Sequence, residues 1–168
     1  MASELHVDTI KDSGGTGKVH IDGHVVQVVE FARDGDIGSS VSPLLTLSSS
    51  SFSDVMSKTI TTKLANSKIF VSMNVVGFNG SSTLRVSTKI LRDSTQINGD
   101  VYGLYGVQSH MIHYAFSMLD APSASAGTTL TYKMQAARES GSDTNHKVGY
   151  GDSGGGSSAN IVLMEVAQ

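Results

Sequence analysis

The sequence contains no cysteine and no tryptophan, and it has only two prolines among its 168 residues. The absence of cysteine excludes disulfides, thiolate metal sites and cysteine nucleophiles. Charged residues make up 16% of the chain, and 12 Lys and Arg against 15 Asp and Glu give a formal net charge of -3. The basic residues are scattered and form no face that could neutralise a run of phosphates, so we expect no nucleic-acid partner.

Long apolar runs are also missing, since the longest covers only a few residues. The sequence therefore predicts neither a secretory signal nor a membrane span, and we expect no membrane insertion. Helix-forming residues do not gather into a run long enough for an average helix, which excludes an all-helical fold. Abundant Ser and Thr together with 18 Gly favour short strands joined by turns.

Apolar and polar residues alternate with the period of a β-strand in several segments. The clearest are 84–90, which should be half-exposed, and 112–118, 130–136 and 161–166. The pattern also predicts a hairpin between 60–64 and 69–75, and a short strand near 146–150. The β-branched run at 24–31 indicates a buried strand, and 34–54 reads as a long surface loop with one short strand.

About eight short strands separated by turn signals predict an all-β fold, an antiparallel β-sandwich or a jelly-roll-like knob. Residues 1–23 contain two short alternating pieces that are too small for a core of their own, so they form a short N-terminal arm or hairpin. The sequence thus divides into an arm at 1–23 and a sandwich domain at 24–168.

Three motifs point to chemistry that the rest of the sequence does not support. Residues 151–155 match the surroundings of the nucleophile in chymotrypsin-like serine proteases, but no His has the neighbours that such a base needs, so we expect Ser153 to be inert. Residues 13–18 fail a phosphate-binding loop at both ends. Two acidic pairs have the residue types of a glycosidase but occur in turn segments, namely Asp34 with Asp36 and Asp93 with Asp100.

The six histidines do not have the spacing of a zinc site. His20 and His24 would lie about 13 Å apart along one strand, and His110 and His113 would point to opposite faces. We therefore expect no metal site and no cofactor. One alternative stays open, in which a trimer presents a single His three times around its axis to a metal or an anion.

An ordered series of segments along the chain resembles one family. These are 2–11, 15–23, 25–29, the pair 60–64 and 67–71, the pair 116–122 and 131–135, and the ending 161–168. Together they are similar to the tail-fibre-like proteins of marine tailed phages, including cyanophages. The resemblance implies a virion structural protein, a homotrimeric fibre tip or knob that attaches to a host-surface glycan or outer-membrane component. It also implies that the arm at 1–23 contacts other virion proteins, and it provides no catalytic residue.

Loops 77–82, 98–108 and 139–158 are the candidates to face the host, because each combines turn residues with an aromatic side chain. The candidate receptor contacts in them are Phe78, Asn79, Tyr102, Tyr105, His146 and Tyr150. An alternative is a capsid-decorating, head-fibre or neck protein that acts in virion assembly or stability. A glycan-degrading tailspike enzyme is a more distant alternative, and we expect the chain not to be an enzyme.

Overall fold

A computed structural model describes residues 22–34, 45–79, 84–99, 101–106, 110–140, 146–149 and 158–168. Eleven strands occupy these ranges, and none of the described residues belongs to a helix that could cross a membrane. In chain order the strands are β1 (Val25–Asp34), β2 (Leu45–Leu47), β3 (Ser53–Thr61), β4 (Lys68–Asn79), β5 (Leu84–Arg92), β6 (Thr95–Gln96), β7 (Val101–Gly106), β8 (His110–Asp120), β9 (Thr129–Ser140), β10 (His146–Val148) and β11 (Ser158–Val166).

The strands form two antiparallel sheets that pack face to face. Sheet A has the order β1-β11-β4-β10-β2, with β8 on the other side of β4, and sheet B has the order β3-β9-β5-β6, with β7 also paired to β5. The predicted all-β sandwich is therefore confirmed. It has more strands than the eight expected because β2, β6 and β10 are only two or three residues long.

The core lies between the sheets and is built from the side chains that the alternation pointed inward. Val71 and Met73 of β4 and Ile161 and Leu163 of β11 face Ile60, Ile90, Leu130, Tyr132 and Met134 of sheet B, and all of them are buried. Residues that alternate along a strand point to opposite faces, so each strand buries one face and leaves the other to solvent. The patterns at 112–118, 130–136 and 161–166 are confirmed as β8, β9 and β11.

The predicted hairpin between 60–64 and 69–75 is wrong. β3 pairs with β9 in sheet B, whereas β4 pairs with β11 and β8 in sheet A. Residues 62–67 therefore cross from one sheet to the other. β3 and β4 each carry an apolar face because each packs against the opposite sheet. Two paired strands of one sheet would show the same apolar pattern, so the pattern does not distinguish a hairpin from a crossing.

The β-branched run that indicated a buried strand forms β1 at the edge of sheet A. Among the described strands β1 pairs only with β11, and Val25 and Val28 are 50% and 53% exposed. The interpretation of 24–31 as buried is wrong, because the outer face of sheet A has no described layer over it. β5 is more buried than the sequence predicts. Its outer face should be exposed, but Ser87 on that face is buried beside Glu139.

The remaining segment predictions fall partly outside the described residues. β2 confirms one short strand within 34–54, and β10 confirms the strand near 146–150. Of the arm at 1–23, only residues 22 and 23 are described. Gly23 adopts a φ of 81°, and its N–H donates to the carbonyl of Ala167, so the chain enters β1 beside the end of β11.

Candidate functional site

The strand directions give the sandwich two different ends. β3 and β8 finish, and β4 and β9 begin, at one end, which we call the clamped end. β1 also begins there, and β11 finishes there. At the opposite end, which we call the loop end, β4 finishes at Asn79 and β8 begins at His110. Two of the three loops that we expected to face the host, 77–82 and 139–158, join strands at the loop end.

A buried carboxylate holds the clamped end together. Glu165 of β11 is fully buried, and its Oε1 accepts hydrogen bonds from the backbone N–H of Leu64 at 2.9 Å and from Oγ of Ser67 at 2.8 Å. Nε2 of Gln27 donates to Oε2 at 2.6 Å, and the N–H of Lys63 lies 2.9 Å from both oxygens. One side chain of sheet A therefore fixes the crossing at 62–67 and the start of β1.

The protonation of Glu165 follows from this arrangement. Burial alone would raise the pKa of its carboxyl group, because a buried charge loses its hydration. The donated hydrogen bonds from Leu64, Lys63, Ser67 and Gln27 outweigh that effect and hold the pKa below its ordinary value. Glu165 is consequently a stable carboxylate with a structural role, and it is not a general acid near neutral pH.

A second carboxylate joins the two sheets at the same end. Nη1 of Arg92 donates to both oxygens of Asp120 at 2.8 and 2.7 Å, and the hydroxyl of Tyr132 donates to Oδ2 at 2.7 Å. Asp120 belongs to β8 of sheet A, whereas Arg92 and Tyr132 belong to sheet B. Burial, followed by the contact with Asp120, raises the pKa of Tyr132, so its hydroxyl stays a donor at all ordinary pH values.

The two carboxylates lie on one row of sheet A. Glu165 is paired with Gln27 on one side and with Ile69 on the other, and Ile69 is paired with Asp120. The turns above this row are also joined, because the N–H and hydroxyl of Thr62 bond to the segment at 125–128. The clamped end is thus a dense hydrogen-bonded layer with its polar groups turned inward.

The candidate receptor contacts are described to different extents, some with their side chains and some by their backbone alone. Phe78 lies near the end of β4, is partly buried, and is paired with Met111 and Lys147. Asn79 ends β4 opposite His110, and only its backbone is described. Tyr102 and Tyr105 belong to β7, and Tyr105 is paired with Arg85 of β5. They therefore lie in a strand and not in the predicted loop, and their side chains, like all of Tyr150, fall outside the described residues.

His146 does not occupy a surface position. It is fully buried, and its Nε2 lies 2.8 Å from the hydroxyl of Tyr114. Both rings fit against Gly77, where an added Cβ would come within 2.7 Å of Tyr114 and 2.9 Å of His146. The interpretation of His146 as a receptor contact is therefore corrected to a packing role, which holds β10 against β4. His146 and Val148 are both buried, and Lys147 between them is partly exposed.

Among the residues considered for catalysis or metal binding, Asp93 has a structural role and several others are not described. Asp93 has a φ of 54° in the turn between β5 and β6, and its Oδ1 accepts a hydrogen bond from the N–H of Thr131. Ser153, Asp36 and Asp100 lie outside the described residues. Within the part of the chain that the structure describes, no three His, Cys, Asp or Glu side chains are placed to hold a metal ion.

One feature that the sequence did not predict is an apolar cleft of about 200 Å³ on the side of the sandwich. It lies where β8 of sheet A approaches β5 and β9 of sheet B. Its lining comes from Thr88, Ile90, Met134 and residues 113–116. The alternation of these strands shows which residues point inward, but a gap between two sheets depends on their packing and leaves no signal in the sequence.

No protein family and no curated protein matches the chain. Among solved structures, a chain from the particle of infectious bursal disease virus is similar to 83% of this chain, at 10% identity and a TM-score of 0.46. The aligned region covers 36% of that viral chain. The Gx and Gt strains of that virus align at 9% and 11% identity with TM-scores of 0.43 and 0.41. They cover 99% and 100% of this chain. This chain spans 38% of the length of the Gx chain and 42% of the length of the Gt chain.

Proposed function

We propose that the chain is a virion structural protein, a homotrimeric fibre tip or knob that attaches a tailed phage to its host. The resemblance of the segments along the chain to tail-fibre-like proteins motivates the proposal. A β-sandwich is an architecture that virion proteins use, although a fold alone does not fix a function.

The two-ended organisation of the sandwich is the observation that carries the proposal. The chain enters β1 at the clamped end, where Glu165 and Asp120 hold the two sheets together. Segments 80–83, 107–109 and 141–145 join strands at the opposite end. An adhesive module needs this separation, since one end is joined to the particle while the other meets the host surface. In this proposal residues 1–23 contact another virion protein, and the loop end binds a host-surface glycan or outer-membrane component.

A capsid-decorating, head-fibre or neck role is the second candidate. The exposed apolar side chains of Val25 and Val28 on β1 favour it, because they lie at the clamped end and suit a broad contact with another virion protein. We propose no enzymatic role, since Asp93 of the suggested acidic pair is bound to a backbone N–H. The two candidates differ in whether the candidate receptor contacts contribute to adsorption.

The test compares two variants in particles. The first lacks residues 1–21, which leaves the hydrogen bond of Gly23 to Ala167 in place, and the second carries Tyr102→Ala and Tyr105→Ala. We expect the truncated chain to bind host cells but not to enter particles, and the double variant to enter particles that adsorb poorly. Thr59→Ala, an exposed change on β3, is the control and should alter neither property.

Labelled-antibody electron microscopy of intact particles identifies the structure that carries the protein, and light scattering of the purified chain gives its mass. Label on the tail, a trimer mass and weak adsorption of the double variant support the proposal. Label on the head together with normal adsorption would favour the decorating role. Normal incorporation of the truncated chain would refute the anchoring role of the arm, and a monomer at all concentrations would refute the trimer.

A further inference from the structure

β8 is an edge strand with one long unpaired side. It pairs with β4 over its full length, from Asn79 opposite His110 to Ile69 opposite Asp120. Among the described strands none pairs with its other side, and β7 only approaches it. Within the described parts of the chain, the backbone N–H and carbonyl groups that alternate along this side have no strand partner, and they could pair with a further strand.

The sequence of β8 lacks the features that normally protect an edge. Residues 111–119 contain no Asp, Glu, Lys or Arg, no Pro and no Gly. Soluble proteins usually block such an edge with Lys, Pro or a bulge, because it otherwise pairs with another chain. Met111 and Leu119, at the two ends of the segment, are 43% and 49% exposed. The edge is thus long, uncharged and flanked by exposed apolar side chains.

The apolar cleft lies at the centre of this edge. Four consecutive residues of β8, 113–116, line it, and these point alternately to the outer and inner faces of sheet A. A cleft that touches all four follows the strand edge and not one face alone. Ile90 and Met134 form its interior from sheet B, and Thr88 is also part of the wall. Its volume of about 200 Å³ exceeds the roughly 150 Å³ apolar cavity that holds benzene, so one Leu or Phe side chain fits.

We propose that the edge of β8 binds an extended segment of a separate polypeptide. The segment pairs with residues 113–119 as an added strand, and one of its aliphatic or aromatic side chains enters the cleft. Main-chain hydrogen bonds give such a contact its affinity, and the cleft selects the side chain at one position. This inference does not depend on the virion role, because it uses only the edge and the cleft.

A second copy of the sandwich does not fit as the occupant. If two β8 strands paired about a two-fold axis near Ala115, residues 114–116 of one copy would face those of the other. Of the inward side chains there, Tyr114 is buried in the core of its own sandwich and Phe116 packs against that core. They cannot also fill the neighbouring cleft, whereas a strand from outside the sandwich has free side chains on that face.

The test uses a short synthetic peptide of Ser and Thr with one central Leu, added to the full chain. We expect nuclear magnetic resonance shifts at Ile90 and Met134, and slower hydrogen exchange along β8, at about millimolar peptide. A matched peptide with methylated backbone nitrogens on its pairing side cannot form the ladder. A second matched peptide has Asp in place of Leu. Both should bind at least about tenfold more weakly.

Two protein variants test the two parts of the site separately. Thr88→Leu fills the cleft and Ser117→Lys places a charge on the edge, and each should weaken binding of the Leu peptide about tenfold or more. The controls make the same substitutions at exposed positions elsewhere, Thr95→Leu on β6 and Ser57→Lys on β3. Both control variants should bind the Leu peptide with the affinity of the wild type. Several results would overturn the proposal: no binding at millimolar peptide, equal binding of the methylated peptide, unchanged affinity in both Thr88→Leu and Ser117→Lys, or self-association that protects β8 without peptide.

Discussion

Replacing Glu165 by Gln tests whether one buried carboxylate holds the clamped end together. The side chains have nearly the same shape, so the change removes the charge and leaves the packing in place. If the amide oxygen takes the place of Oε1, it still accepts from Leu64 and Ser67. The amide nitrogen then takes the place of Oε2 and faces Nε2 of Gln27, which is also a donor. The variant therefore weakens three hydrogen bonds and loses one.

The magnitude follows from the difference between charged and neutral acceptors. A hydrogen bond to a charged group contributes about 1.5–3 kcal/mol and a neutral one about 0.5–1.5 kcal/mol, so each weakened bond loses about 1 kcal/mol. The lost bond from Gln27 adds about 1.5–3 kcal/mol, and the removed cost of burying a charge offsets part of the sum. We expect the free energy of unfolding to fall by about 2–4 kcal/mol, a large share of the roughly 5–15 kcal/mol of an ordinary domain.

Urea unfolding at neutral pH measures this difference, with Glu30→Gln as the control because Glu30 is exposed on the neighbouring strand β1. The pH dependence provides a second readout. The folded pKa of Glu165 lies below the ordinary value of 4.5, so its stabilisation is complete above that pH and is lost as the pH falls through the folded pKa. The gap between wild type and Glu165→Gln should therefore narrow in acid.

Two results would refute this reasoning about Glu165. A loss within about 0.5 kcal/mol, the size expected for an ordinary surface substitution, would show that the carboxylate contributes little. A gap that stays constant from neutral pH down through the acid range would show that its charge is not responsible. In either case the clamped end would depend on its other contacts, such as the bonds of Asp120 to Arg92 and Tyr132.

Two further predictions concern the core. Gly77→Ala should lower the free energy of unfolding by about 1–3 kcal/mol, because its Cβ would overlap the buried rings of Tyr114 and His146. Urea unfolding measures this loss. Gly99→Ala is the control, and it should leave the urea midpoint unchanged because Gly99 has open space around it. Since burial and Asp120 raise the pKa of Tyr132, wild-type stability should decline as the pH rises above 10. Tyr132→Phe should reduce that decline, and at neutral pH it should remove about 1.5–3 kcal/mol, because it deletes a hydrogen bond to a carboxylate. An unchanged alkaline profile in Tyr132→Phe would contradict the second prediction.

Alternation along the chain was enough to predict the inner faces of several strands. In β9, Leu130, Tyr132 and Met134 point inward as their spacing requires, and β11 behaves in the same way with Ile161 and Leu163. Burial of one face depends on the period of the side chains, which is local information. The fold class and these core residues could therefore be predicted without any knowledge of strand pairing.

Strand partners could not be predicted in this way, and residues 62–67 show why. A turn between two apolar strands normally joins neighbours in one sheet, and this one joins two sheets. The crossing is fixed by Glu165, which is about a hundred positions later in the chain and binds the N–H groups of Lys63 and Leu64. Nothing near residue 62 in the sequence carries that information.

For the candidate site, the sequence could predict which segments form loops but not what surrounds their side chains. Turn residues predict loops at 77–82 and 139–158, and the strands on either side of these segments meet at one end of the sandwich. The burial of His146 could not be predicted from its turn-rich neighbourhood, because the ring is enclosed by Tyr114 and Gly77 from other strands. The edge cleft at β8 had no sequence signal, since its walls come from three strands in two sheets.

The clamp at Asp120 and the open edge of β8 are parts of one strand, and this connection makes a further prediction. A strand with a single paired neighbour should open more readily than the strands inside the sheet. The carboxylate of Asp120 opposes this, because it joins the end of β8 to Arg92 and Tyr132 of sheet B. A rigid edge binds an added strand with a smaller loss of conformational entropy, so the clamp should improve the affinity of the edge.

Asp120→Asn tests this connection while preserving the size of the side chain. We expect the β8 amide groups to exchange with solvent faster than in wild type, by a larger factor than those of β4, and the Leu peptide to bind more weakly. Asp54→Asn is the control, because Asp54 forms an exposed ion pair with Lys133 on the other sheet. Equal acceleration in β4 and β8 would mean that the substitution destabilises the whole sandwich. Unchanged exchange along β8 would mean that pairing with β4 alone keeps the edge in place.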